Sequence, residues 1–375
     1  MLFLSCIKIR DNIYYVGSED FDVRMFHGYL VPFGTTYNAY LVIDEKITLI
    51  DFVKAQFTDD LIANIESVIP LEKIDCMICN HVEPDHSGAL PAIAERIPDV
   101  PIYATAAAKR GLSAYYKRDF NIVPVKLGDT LCTGKYTFSF IPMPMVHWPD
   151  SMCTYLELEK ILFSNDAFGQ HLATRERFDD EIGKERLLER AGNYYANIVL
   201  PFGTPVQKVL AQAATLDIKM ICPSHGVILR SFIPEMLEKY TYWAKNESDP
   251  NRAVVAFDTM WGATRILAGR ICDDLTARGI TPTLIDLSDT HPSVAIAAAL
   301  EAGVIAVGSP TLNRNVMPSV AAFLTYMKGL APKNRVGLAF GSYGWSGESI
   351  PQIEAVLRDE CGFTLLPSVK SVYMP

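Results

Sequence analysis

Apolar positions along the chain fall in short runs separated by polar turns, and the rhythm of those runs changes near residue 250. Up to that point the runs at 41–43, 47–51, 74–79, 102–105, 136–141, 153–158 and 161–163 are short and rich in Ile, Val, Leu and Phe, which predicts strands. Helical spacing at 59–68, 87–96, 106–117 and 184–195 predicts helices between them. Strands with helices packed outside imply a layered α/β domain with two sheets. The stretch Lys245-Asn246-Glu247-Ser248-Asp249-Pro250-Asn251 has no large apolar side chain and marks a seam. Beyond it, strands at 253–257, 283–287, 304–307 and 336–340 alternate strictly with helices at 264–278, 293–301, 318–328 and 350–358, the signature of a doubly wound parallel sheet. Two domains are therefore expected, 1–248 and 252–375, with no internal repeat.

Composition narrows the function classes. The chain has 375 residues, 49% of them hydrophobic, enough for two cores. Thirty-four basic residues against 43 acidic ones give a net charge of −9, which argues against a nucleic-acid binder. Residues 252–375 are neutral in sum, so the whole excess lies in 1–251. No run of 18 apolar residues is present, and the opening MLFLSCIKIR lacks the basic start of a secretory leader, so a cytoplasmic location is expected. Eight scattered cysteines form no disulfide framework. Cys76-Met77-Ile78-Cys79 has CxxC spacing, but residues three apart on a strand point to opposite faces, so two inert core cysteines are expected.

The densest chemistry is Asn80-His81-Val82-Glu83-Pro84-Asp85-His86-Ser87-Gly88, at a strand-to-helix turn. Four ligand-type side chains crowd this turn, and such a concentration of imidazole and carboxylate calls for a cation. His147, Asp166 and His225 each follow a strand-like run, so they can converge on the same point. The pattern resembles the metallo-β-lactamase superfamily, whose dinuclear motif is H-x-H-x-D-H followed by distant His, Asp and His. Here Glu83 stands at the second histidine. The exchange adds an anionic oxygen and tilts the site toward a harder, redox-active metal.

In the second domain, Asp258-Thr259-Met260-Trp261-Gly262-Ala263-Thr264 follows the first strand and opens a helix, the form of a phosphate cradle. It is neither a dinucleotide fingerprint nor a Walker loop, and it is similar to the flavodoxin phosphate loop. Two further loops, Gly308-Ser309-Pro310-Thr311-Leu312-Asn313 and Gly341-Ser342-Tyr343-Gly344-Trp345-Ser346-Gly347-Glu348, follow later strands. Ligands of open α/β sheets bind at those strand ends. Tyr343 and Trp345 offer flat surfaces for an isoalloxazine ring, so FMN is the expected ligand.

A metallo-β-lactamase-like αββα domain carrying H-x-E-x-D-H, followed by a flavodoxin-like domain, resembles the flavodiiron proteins over essentially the whole chain. Phe26-His27-Gly28-Tyr29, Gly34–Ala39, His147-Trp148-Pro149-Asp150-Ser151, 164–171 and 344–348 carry the likeness too. The resemblance implies one iron held by His81, Glu83 and His147, a second by Asp85, His86 and His225, and Asp166 bridging. In some members the histidine at the position of His86 turns away. It implies reduction of dioxygen to water or nitric oxide to nitrous oxide, and leaves the choice open. Four electrons for dioxygen match two from a diferrous pair and two from reduced FMN. It further implies a head-to-tail homodimer or a dimer of dimers, with the flavin of one chain feeding the irons of the other. The electron donor is then a separate rubredoxin or a reduced deazaflavin. Trp148 and Trp345 fall near that junction by motif position. Tyr29 and His171 are candidates to hydrogen-bond a bound intermediate, and Asp51 to orient a ligand histidine. The resemblance also implies a helix after the fifth flavodoxin strand, and the sequence up to Pro375 does not include it. Competing readings are a zinc hydrolase of the metallo-β-lactamase superfamily with a flavodoxin domain, and a non-catalytic electron carrier.

Overall fold

The computed structural model describes residues 6–375, so the first half of MLFLSCIKIR, read above for a leader, lies outside the described residues. The chain forms two compact units.

In the first unit two sheets carry the core. One has seven strands in the order Ile7–Arg10, Ile13–Tyr15, Tyr40–Val42, Ile47–Ile50, Ile74–Ile78, Ile102–Thr105, Ile122–Val125. The other has five, Thr130–Cys132, Thr137–Pro142, Met152–Leu156, Ile161–Asn165 and Met220–Pro223. Tyr40, Ile50 and Ile78 from the first meet Phe138, Phe140 and Phe163 from the second, all essentially buried. Each such side chain contributes about 1.5–3 kcal/mol by leaving water. Helices Thr58–Glu66, Leu90–Arg96 and Ala106–Tyr116 follow the strands as the αββα reading requires.

Register aims the functional residues. Ile47–Ile50 runs parallel to Ile74–Ile78 with Ile50 beside Ile78, so Asp51 and Asn80 emerge together. Ile161–Asn165 runs parallel to Met220–Pro223 with Phe163 beside Cys222, which brings Asp166 and His225 off the same end. The helix expected over 87–96 begins earlier, as a short turn Pro84–Ser87, then resumes at Leu90–Arg96. Pro84 fixes that start, and it folds the ligand-rich turn into the first helical residues. Cys76 and Cys79 are both buried with thiols pushed up by burial, as inert core cysteines should be.

The second unit holds a parallel sheet in the order Thr281–Asp286, Asp249–Phe257, Ala302–Gly308, Val336–Tyr343, and last a fifth strand broken into Thr364–Leu365 and Val369–Val372. This is the doubly wound order 2-1-3-4-5, whose switch point lies between its first and third strands. Helix Ala263–Ala277 packs Leu267, Ala268 and Ile271 on Val255, Phe257, Ala306, Leu338 and Phe340.

The unit boundaries differ from the expected 1–248 and 252–375. The second unit begins at Thr241 and also takes in Met25–Leu30 and Gly192–Gly203. The Leu30 N–H donates to Ser293 Oγ (3.2 Å), and Asn197 Oδ1 accepts from the Tyr326 hydroxyl (2.8 Å). Excursions this short leave no composition shift to read. Nor is the seam slack: Asp249 already opens a strand, and the Asn246 carbonyl accepts from Arg335 (3.0 Å). Among the described residues no helix is long and apolar enough to cross a membrane.

Candidate metal centre and flavin cleft

Seven buried side chains from four chain segments converge at the strand ends of the first unit. They form two groups, His81, Glu83, His147 and Asp166, and Asp85, His86 and His225. Glu83 Oε2 lies 3.3 Å from Nε2 of both His81 and His147. Asp85 Oδ2 lies 3.3 Å from His86 Nε2 and 3.2 Å from His225 Nε2. Asp166 faces both groups: Oδ1 is 2.9 Å from His86 and 3.6 Å from His225, while Oδ2 is 3.6 Å from His81 and 3.4 Å from His147. His86 therefore points inward here.

These residues fit a pair of cations. Ligands each about 2.0–2.2 Å from one ion stand roughly 3–3.5 Å from one another, the spacing seen in both groups. Asp85 Oδ1, His86 Nδ1 and Asp166 Oδ2 are buried with no hydrogen-bond partner, a cost that polar atoms ordinarily avoid. Charge says the same. Burial opposes a proton on His81, yet Asp150, Glu83 and Asp166 override it and hold the imidazole well above its ordinary range. Burial likewise opposes charging His86 and His147, and the neighbouring carboxylates still push both up to about 9. Asp166 stays well below the usual carboxylate range despite its burial, because His86, His147 and His81 surround it. The carboxylates demand positive charge, which protons supply in part and which a metal would supply by displacing them.

A further layer fixes the rings. Asp150 Oδ2 accepts from His81 Nδ1 (2.9 Å) and the Val82 N–H (2.8 Å). The Thr36 carbonyl accepts from His225 Nδ1 (2.6 Å). With Nδ1 so engaged, both rings turn Nε2 inward to the carboxylates, the nitrogen that a metal would take once its proton is displaced. Neither Asp150 nor Thr36 was assigned a role from sequence, though both sit inside the quoted motifs. Asp51 departs from its expected part: it accepts from the Asn80 backbone N–H (2.7 Å) and side chain (2.9 Å), and from Asn165 (3.5 Å), and no hydrogen bond to a histidine is found for it. It braces the residues that precede His81 and Asp166. Asp51 and Asn165 both adopt left-handed backbone (φ 57° and 53°), which Asp and Asn tolerate better than most residues.

Of the other candidates, Trp148 packs edge-on at 5.2 Å from His81 and stacks on Tyr115. His171 hydrogen-bonds Thr35 Oγ1 (2.7 Å), with its ring 4.7 Å from that of His225. Tyr29 is buried in the hairpin Met25–Phe26/Tyr29–Leu30 that folds with the second unit. The first unit thus brings His171 and Trp148 to the ligand set.

In the second unit the three expected loops enclose a cleft of about 620 Å³, within the range of small-molecule sites. Met260, Trp261, Ala263, Pro310, Thr311, Asn313, Ser342, Tyr343, Gly344, Trp345 and Ser346 line it, as do Arg314, Tyr373 and Met374, which sequence did not single out. The remaining candidates shape the walls from behind. Thr259 Oγ1 accepts from the Gly262 N–H (3.1 Å), and Gly262 at φ 86° makes the turn into helix Ala263–Ala277. Thr264 Oγ1 meets Ser342 Oγ (2.9 Å), and Ser309 Oγ accepts from the Met317 N–H (2.8 Å). Gly347 packs beneath Tyr343, where an added Cβ would sit 3.0 Å from the ring, and Leu312 closes a turn with Asn315. Asp258, which would repel a phosphate, is engaged by the Thr259 N–H and the Ser319 hydroxyl. A helix N-terminus, hydroxyls and broad aromatic faces in one cleft suit a phosphorylated flavin.

The comparisons agree with both halves. Residues 35–226 match the family described as ODP family beta lactamase, and residues 255–370 match flavodoxin. A nitric oxide reductase of Moorella thermoacetica is 43% identical over 94% of this chain and 89% of its own length. The solved rubredoxin oxygen:oxidoreductase of Desulfovibrio gigas superposes with a TM-score of 0.95 at 40% identity, covering 99% of this chain and 94% of that one. The solved flavodiiron protein of Giardia intestinalis does so at 0.95 and 34%, covering 99% and 92%.

Proposed function

The chain belongs to the flavodiiron proteins, and from that premise we propose that it reduces dioxygen to water and nitric oxide to nitrous oxide at a diiron site fed by FMN. One observation carries the reading: Asp166 presents one oxygen to each of two ligand groups, in a chain that also folds a flavin cleft. When bound, the irons and FMN supply the electrons, two from a ferrous pair and two from reduced flavin.

The chain's own residues do the rest. His81, Glu83 and His147 would hold one iron and Asp85, His86 and His225 the other, with Asp166 facing both groups. Three carboxylates against four imidazoles offset the charge of ferric iron better than the two carboxylates and five imidazoles of the H-x-H-x-D-H pattern would. Trp148 covers the pocket beside His81 and limits water. His171, tied to Thr35, sets its ring beside that of His225, where it can hydrogen-bond a substrate at the pocket.

The zinc-hydrolase reading is disfavoured, because it gives the flavin cleft no task. The donor is a rubredoxin-type protein or a reduced deazaflavin, and the working form is a cytoplasmic head-to-tail homodimer in which each flavin serves the partner's irons. Anaerobic kinetics test the function: reduced protein mixed with dioxygen and, in parallel, with nitric oxide should reoxidise and yield water and nitrous oxide. Failure with both gases overturns the reading, and the ratio of rates assigns the preference.

A further inference from the structure

The turn Leu312-Asn313-Arg314-Asn315 is closed by two backbone hydrogen bonds, Leu312 N–H to Asn315 O (2.9 Å) and Asn315 N–H to Leu312 O (2.8 Å). Both central residues have positive φ, 51° at Asn313 and 61° at Arg314. That is the geometry of a type I′ turn, which favours Asn, Asp and Gly at these places. Asn313 fits the rule. Arg314 breaks it, since a long side chain at left-handed φ costs roughly 1 kcal/mol and glycine would relieve it. The turn is held in this form from outside: Gln352 Nε2 donates to the Arg314 carbonyl (2.8 Å), and Gln352 Oε1 accepts from the Val316 N–H (3.3 Å). Strain kept in place by neighbours points to a task for the side chain.

Position suggests the task. Among the residues lining the flavin cleft, Arg314 alone is charged; the others are aromatic, apolar, hydroxyl-bearing or amide. Glu348, a carboxylate that senses the Arg314 charge, does not line the cleft; its acidity is strengthened first by Ser346 and its own backbone N–H, and more weakly by Arg314. Oxidised flavin is neutral. The second electron, from a one-electron donor, converts neutral FMNH to the anion FMNH⁻ with no proton taken up. A cleft with one cation and no lining carboxylate favours that anion over the neutral forms.

We propose that Arg314 is a charge-setting residue of the cleft, which stabilises the fully reduced flavin anion and so raises the potential of the second one-electron step. The inference rests on the FMN reading above and deepens it. Its consequence is that the fully reduced flavin is favoured over the neutral one-electron form.

The test uses whole protein loaded with FMN and compares wild type with Arg314→Gly, Arg314→Gln and Arg314→Lys. Flavin content and FMN dissociation constant are measured first, then both one-electron potentials by anaerobic titration. The glycine and glutamine variants should bind FMN within a few-fold of wild type. Their affinity for the anion relative to the neutral one-electron form should fall about tenfold, a shift of about 59 mV in the second potential alone. The lysine variant should recover most of it. Flavin bound normally with an unchanged second potential overturns the proposal. FMN binding weakened tenfold or more with both potentials unmoved also overturns it, and reassigns Arg314 to the phosphate. Wild type that binds no flavin refutes instead the reading of the cleft, a distinct result.

Discussion

The two cofactor sites are built in opposite ways. The metal pocket is buried and its parts constrain one another: every ligand is nearly inaccessible, and Asp150, Thr36, Asp51 and Asn80 hold rings and backbone from behind. The flavin cleft is open and made of loops, with Trp261 and Trp345 87% and 91% exposed. The difference follows from the ligands. A cation needs a few atoms fixed to within tenths of an ångström, and its charge repays the desolvation of seven polar side chains. A flavin is large and flat; it needs surface, and brings its own apolar area to cover exposed rings. Damage should therefore be abrupt in the first unit and graded in the second.

The largest effect is expected at Asp166. Asp166→Ala removes the one carboxylate facing both groups and leaves several imidazoles crowded without it, so metal analysis should find both sites depleted and gas reduction lost. FMN content should be unchanged. Full iron occupancy in this variant would show that the two groups do not share a ligand. Next is Glu83→His, which exchanges an anionic oxygen for a neutral nitrogen. Zinc should rise at the expense of iron and turnover should vanish with FMN still bound; iron retained with full turnover would refute the role given to Glu83. Asp150→Ala touches no metal directly, yet it frees the His81 ring, and chelator competition should show affinity lower by about 10–100-fold. The smallest change is expected in the cleft. Thr264→Val breaks the hydroxyl pair with Ser342 and should weaken FMN by about 1 kcal/mol, roughly fivefold, with the metals untouched. A fall in metal content there would erase the contrast between the two sites.

The same contrast governs what could be read from sequence. Candidate metal ligands are rare residue types in dense spacing, so His81, Glu83, Asp85 and His86 stand out, and His147, Asp166 and His225 join them from their places after strands. The residues that hold them do not. Asp150 looks like any loop aspartate, Thr36 acts through its carbonyl, and Asp51 works on asparagines rather than on a histidine. In the cleft the glycine and hydroxyl loops were legible, but Arg314, Tyr373 and Met374 reach it through a turn and a strand end that periodicity cannot place. Tyr29 teaches a related lesson: six residues folded into the other unit carry no mark of it.

The central claim is that one chain carries both an iron pair and a flavin, and spends their electrons together on a gas. The most direct measurement takes protein produced with iron available, determines iron, zinc and FMN per chain, reduces it anaerobically, and follows flavin reoxidation by dioxygen while assaying hydrogen peroxide. The account predicts about two irons and one FMN per chain, rapid reoxidation and water with almost no peroxide, as expected when four electrons are delivered together. Stoichiometric peroxide, or zinc in place of iron with the same reoxidation rate, would mean the flavin reacts alone, and would contradict it.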